Sequence, residues 1–228
     1  MVGKKFNRKQ LKQPDEFITF SGKVIQWGQK YGRQIGYTAI ALLGIVLALV
    51  GYRYFDNRSE LKAFSLLSQA NANYAVQMQK TGAQEKAYEA VKADYQNILD
   101  NYSGKNAGKV TRKTLADICF NAGQYDQAID LYERSLKDFK KDPFYHAIIL
   151  SDLALAHEAN SNDEAAMQYF ERVASTPEAP ALDQALFHLA GLYEKAGKPE
   201  KAREFYEKII AEHAGSIYTD IVKEKIAG

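Results

Sequence analysis

Thr114-Leu115-Ala116-Asp117-Ile118-Cys119, then Ala122-Gly123-Gln124-Tyr125-Asp126-Gln127-Ala128, then Tyr132, is a pattern that this chain writes three times. The second copy reads Asp152-Leu153-Ala154-Leu155-Ala156-His157, Asn160-Ser161-Asn162-Asp163-Glu164-Ala165-Ala166 and Phe170. The third reads His188-Leu189-Ala190-Gly191-Leu192-Tyr193, Ala196-Gly197-Lys198-Pro199-Glu200-Lys201-Ala202 and Tyr206. In every copy a Leu-Ala pair is followed 12 residues after its Ala by a second Ala, and four residues later by an aromatic. The copies lie 38 and 36 residues apart. A fixed period of this size marks stacked supersecondary units, because one unit cannot bury its own apolar face. Two small residues at matched places let two helices touch, and the aromatic fills the space between neighbouring pairs. Gly123 and Gly197 suit helix C-termini, and Pro199 suits a helix start.

Working outward, the spacing resembles the tetratricopeptide repeat, a 34-residue helix–turn–helix unit. The fold class expected is all-α: an N-terminal transmembrane helix, then a tetratricopeptide-like α-solenoid closed by a capping helix. The repeats are expected over about 61–215. A degenerate unit is predicted ahead of them from the helical periodicity of Phe64, Leu67, Ala70 and Tyr74, and again of Ala87, Val91, Tyr95 and Ile98. Its first helix is expected to continue out of the anchor. Breaks fall at Asn101-Tyr102-Ser103-Gly104 and Glu212-His213-Ala214-Gly215, and Ser216 to Ile226 reads as the cap that a solenoid needs at its open end.

First helices of such units line a concave groove. The superposition places Lys113, Asp117 and Phe120 of the first unit there, Ile148, Ser151 and Leu155 of the second, and Gln184, Phe187, Gly191 and Glu194 of the third. This mixed surface suits an extended or partly unfolded polypeptide, or a helix. The Lys/Asn pattern that clamps a peptide carboxylate is missing, with Asp117 standing where an Asn would help.

Residues 34–52 contain no charge, a run of 19 centred on residues 39–50. As a helix it spans roughly 28 Å, close to the thickness of a bilayer's hydrocarbon. Tyr37, Tyr52, Tyr54 and Phe55 flank it, where aromatics favour the interface. Residues 1–35 hold eight Lys or Arg against Asp15 and Glu16, a charge of +6, while the remaining residues carry 22 basic and 26 acidic groups, −4. The division expected is a basic cytoplasmic segment over 1–33, a signal anchor over 34–55 and a repeat domain over 56–228, across the membrane by the positive-inside rule. A cleaved signal peptide fits less well, since Gly51-Tyr52-Arg53-Tyr54-Phe55 makes a poor cleavage site. Ala41, Gly44, Ala48 and Gly51 form a stripe of small residues suited to helix packing in a bilayer. Phe17, Phe20, Val24, Trp27 and Tyr31 mark a short amphipathic helix starting near Pro14-Asp15, for lipid headgroups or a protein. The first ten or so residues read as disordered.

Composition excludes other classes. The chain has 228 residues, 46% hydrophobic and 25% charged, which is ordinary for a folded protein. One cysteine, Cys119, rules out an internal disulfide framework. His146, His157, His188 and His213 are scattered, and no catalytic or nucleotide-binding motif occurs, so no enzyme and no cofactor are expected. His157 and Cys119 share one interior repeat position and read as packed. The acidic body argues against nucleic acid.

Basic head, single span and repeat body together resemble the YfgM-like family, over Phe17 to Ile226. That resemblance implies a bacterial inner-membrane protein with a periplasmic repeat domain. It also implies an ancillary role at the Sec translocon and association with PpiD, a membrane-anchored periplasmic chaperone. The competing expectation is a scaffold for another envelope machine, in secretion, division or electron transfer.

Overall fold

The computed structural model describes residues 16–176 and 179–227, with side chains from residue 20. The expected disorder of the first residues and the helix start at Pro14-Asp15 lie outside them. Every regular element among the described residues is helical. They are α1 (Glu16–Thr81), α2 (Gln84–Tyr102), α3 (Asn106–Asn121), α4 (Tyr125–Asp138), α5 (Pro143–Ala159), α6 (Asp163–Ala174), α7 (Leu182–Lys195), α8 (Pro199–Glu212) and α9 (Thr219–Ala227). Contacts divide the chain into two units, one ending at Arg58 and the other beginning at Ser59.

The first unit is the leading part of α1. It contains a stretch long and apolar enough to cross a membrane, and that stretch is wholly unburied. The amphipathic residues Phe20, Val24 and Trp27 belong to the same helix and are exposed, with Trp27 packed on Tyr31 at 5.6 Å. No helix of their own separates them from the apolar run.

The second unit is built from helical hairpins. Helices α3 and α4, α5 and α6, and α7 and α8 pair, and each pair packs on the next, with α9 closing against α8. The repeated residues explain the pairing. Leu115, Ala116, Ala128, Tyr132, Leu153, Ala154, Ala166, Phe170, Leu189, Ala190, Ala202 and Tyr206 are all buried, none more than 5% exposed. The trailing part of α1 packs on α2 through Leu67, Ala70, Tyr88, Val91 and Tyr95. Tyr95 also donates its hydroxyl to Asn71 at 2.7 Å. Phe64 departs from the expected core face: it is 42% exposed, and Ala63, one residue earlier, is buried in its stead. The small side chain faces inward on that turn, and the ring is left on the solvent side.

Each hairpin turn is closed the same way. Gln124 N–H bonds the Cys119 carbonyl (2.8 Å) and Gly123 N–H the Phe120 carbonyl (3.0 Å). Asn162, Ser161, Lys198 and Gly197 repeat this with His157, Glu158, Tyr193 and Glu194. These are the two bonds of a Schellman ending, which needs a left-handed residue just past the helix. Gly123 (φ 76°) and Gly197 (φ 70°) supply it, and in the middle hairpin Ser161 (φ 60°) does so against its preference. At another turn, Gly108 is required for space: a Cβ there would collide with the Tyr102 backbone carbonyl, where α3 crosses the end of α2.

Candidate functional site

The first helices of the three hairpins, α3, α5 and α7, carry all the residues assigned to the groove. The structure joins several of them into polar ties. Lys113 reaches Asp117 on its own helix (2.9 Å) and Asp152 on α5 (3.0 Å). Tyr132 of α4 donates to Asp117 at 2.7 Å. Burial pushes the Lys113 ammonium down, but Asp152 and Asp117 outweigh it and hold the group above its ordinary value. Burial pushes Asp152 up, with Lys113 opposing, and pushes the Tyr132 hydroxyl far up, with Asp117 adding to it. With its ammonium committed to two carboxylates, Lys113 is not placed to receive a peptide's terminal carboxylate.

A second tie joins α5 to α7. His188 Nδ1 lies 2.8 Å from the Glu158 carboxylate, and its ring stacks on Phe170 at 5.4 Å. A third joins α7 to the cap. Glu194 accepts from Tyr206 (3.1 Å) and from Lys225 of α9 (2.7 Å). Phe187 is half-buried, stacked on Tyr218 at 4.5 Å just ahead of α9, and so engages the cap as well.

The remaining groove positions differ in access. Phe120 is half-buried against Tyr125, with centroids 5.7 Å apart. Ile148, Leu155 and Gln184 are half-buried, and Ser151 is buried with no partner for its hydroxyl among the described residues. Gly191 faces open space, since a Cβ built there meets nothing within 4 Å. In the first unit, Ala41, Gly44 and Ala48 are exposed and Gly51 half-exposed, with open space at both glycines.

Sequence reading passed over Asp152, Glu158 and His188. The register held a signal for Glu158, which stands at the place of Phe120 and Glu194. Nothing local marked Asp152 as the partner of a lysine 39 residues earlier. His157 is buried, stacked on Tyr169 at 5.3 Å, and burial holds its imidazole below the ordinary value. Cys119 is buried too, its thiol pushed up to about 11 by burial. Among the described residues no group of three or more His, Cys, Asp or Glu is placed to hold a metal ion.

Comparison with known proteins matches this geometry. Residues 109–179 and 184–216 each match the tetratricopeptide repeat. The second unit is a tetratricopeptide solenoid. A tetratricopeptide repeat protein from Parabacteroides merdae superimposes with a TM-score of 0.56 at 16% identity, over 72% of this chain and 58% of that one. BtubC from P. vanneervenii does so with a TM-score of 0.54 at 17% identity, over 71% and 72%. In sequence, the photosystem I assembly protein Ycf3 of Rippkaea orientalis is 32% identical over 93 residues, 38% of this chain. The chain spans about half, 52%, of that curated relative. Tetratricopeptide repeats make this chain a protein-interaction scaffold, with protein partners.

Proposed function

We propose that this chain is a single-span, membrane-anchored, non-catalytic scaffold whose repeat groove recruits polypeptide partners at a bacterial inner membrane. The observation that carries the reading is the joining of a tetratricopeptide solenoid to an exposed, uncharged 19-residue apolar run on one chain. The +6 head is the cytoplasmic end, and the repeat body stands in the periplasm. Partner membrane helices meet the stripe Ala41, Gly44, Ala48 and Gly51. The client lies along Ile148, Leu155, Gln184 and Gly191, with Lys113, Asp117, Phe120, Phe187 and Glu194 forming its walls. Resemblance to the YfgM-like family supports the Sec translocon and a PpiD-like chaperone as the partners, with the scaffold passing newly translocated chains onward.

Similarity to a protein named for photosystem I assembly favours a second reading, a scaffold for the assembly of another membrane complex. One experiment separates the two. A photocrosslinking side chain is placed at Gln184 and at Gly191 in native membranes, and what it captures is identified. Translocon subunits, a PpiD-like chaperone or nascent envelope chains support the first reading. Reproducible capture of the subunits of one other membrane complex moves the function there. Capture from Gln184 that is unchanged by Gly191→Arg would remove the groove from either account.

A further inference from the structure

Successive helices of the repeat body are joined by short turns and packed on one another, so the turns alternate between two edges. The turns within hairpins, at Gly123, Ser161 and Gly197, share one edge. The turns between hairpins, at residues 103–105, 139–142 and 213–218, share the other. Helix α1 enters the body at this second edge. The Glu60 carboxylate accepts the Ala107 and Asn106 backbone N–H groups (2.7 and 3.2 Å) at the start of α3.

The same edge carries an unusual turn. Phe139, Lys140, Lys141 and Asp142 precede Pro143, Phe144 and Tyr145 at the start of α5. Phe144 is 58% exposed and Tyr145 47%, and the rings of Phe139, Tyr145 and Phe144 touch in series at 5.2 and 5.8 Å. Lys137, Lys140 and Lys141 are exposed, and no ion pair engages them among the described residues. Asp138 pairs with Arg112, which leaves two acids nearby: Asp142, which caps α5 by accepting the Tyr145 N–H (3.1 Å), and Glu133, which shares a surface with Lys137 and Lys140. Ile217, in the turn before α9, is 86% exposed on this edge. Solvent-facing aromatics beside three lysines that outnumber the acids around them match a membrane interface, where rings sit at headgroup level and each cation gains from anionic lipid.

Chain length keeps such a surface within reach. Eight residue steps lead from Tyr52, the end of the uncharged run, to Glu60. Even fully extended they span at most about 29 Å.

We infer that the edge carrying Lys140, Lys141, Phe144 and Tyr145 is a second, peripheral membrane contact that binds anionic phospholipid headgroups. The inference rests on the reading of 34–55 as a membrane span. Lysine ammoniums meet headgroup phosphates, and the Phe144 and Tyr145 rings enter the interface.

The test uses the full chain, in which Trp27 is the single tryptophan. Trp27→Phe combined with Phe144→Trp moves the indole to the turn. The protein is reconstituted into vesicles of brominated phosphatidylcholine with or without phosphatidylglycerol. Quenched emission that depends on phosphatidylglycerol is expected. Lys140→Gln with Lys141→Gln should lower the association constant about 30-fold, roughly fivefold for each cation removed, and restore emission. Circular dichroism of these exposed-site variants should match the parent. Protein that floats with the vesicles yet keeps unquenched emission overturns the edge contact. Protein that fails to float overturns the span, and the edge contact with it.

Discussion

Ser161 occupies a place that the two sister hairpins give to glycine. Its φ of 60° costs an L side chain about 1 kcal/mol that glycine avoids. Ser161→Gly is therefore expected to raise stability by about 0.5–1 kcal/mol, read as a higher urea midpoint at unchanged slope. Gly108→Ala should act in the opposite sense and more strongly, by about 3 kcal/mol, because its methyl group meets backbone rather than a movable side chain. Sequence alone held the first of these, since Gly123, Ser161 and Gly197 align. It did not hold the second, because the Tyr102 carbonyl reaches Gly108 only through the crossing of α2 and α3. His157 sets a pH dependence. Burial, opposed by Glu133, holds its imidazole below the ordinary 6.5, so the fold keeps it neutral. As pH falls below about 6.5 the unfolded chain takes up a proton that the native chain refuses, and stability is lost down to the depressed native value. Above that window this group changes nothing. His157→Tyr, the residue of the third repeat, should flatten the fall in urea midpoint between about pH 7 and 5.5.

At the level of helices, two kinds of contact hold the hairpins, and they were not equally legible. Alanine-on-alanine contact within a hairpin was written at a fixed offset and could be read directly. Ala166→Leu at the α5–α6 contact should cost about 1–3 kcal/mol by overpacking, measured as a lower thermal midpoint. Polar ties between hairpins were not legible, since Lys113 meets Asp152, and Glu158 meets His188, across units whose spacing no local pattern encodes. Lys113→Met leaves the half-buried Asp152 and the more exposed Asp117 without a cation, and should destabilise by about 1–2 kcal/mol. Adding Asp152→Leu should restore part of that loss, as replacing a buried charge pair by apolar groups often does. Recovery in the double variant, read from urea unfolding, separates the pair's cost from simple loss of packing.

Across the molecule, every buried apolar side chain of the second unit among the described residues lies at or beyond Ala63. A chain beginning at Ser59 is expected to keep its helical circular dichroism. Its thermal midpoint should stay within about 3 °C, the shift that 1 kcal/mol gives a domain of this size. Architecture at this scale was the most legible part, because three copies of one residue pattern can be compared with each other and single sites cannot. The groove's accessibility was the least legible, since it turns on α9. Helix α9 and the residue before it hold Glu194 through Lys225 and cover Phe187 with Tyr218. A chain cut before Tyr218 would uncover one face of the Phe187 ring and leave Glu194 with the Tyr206 hydroxyl but no cation, turning a closed last repeat into one more apolar and anionic docking place.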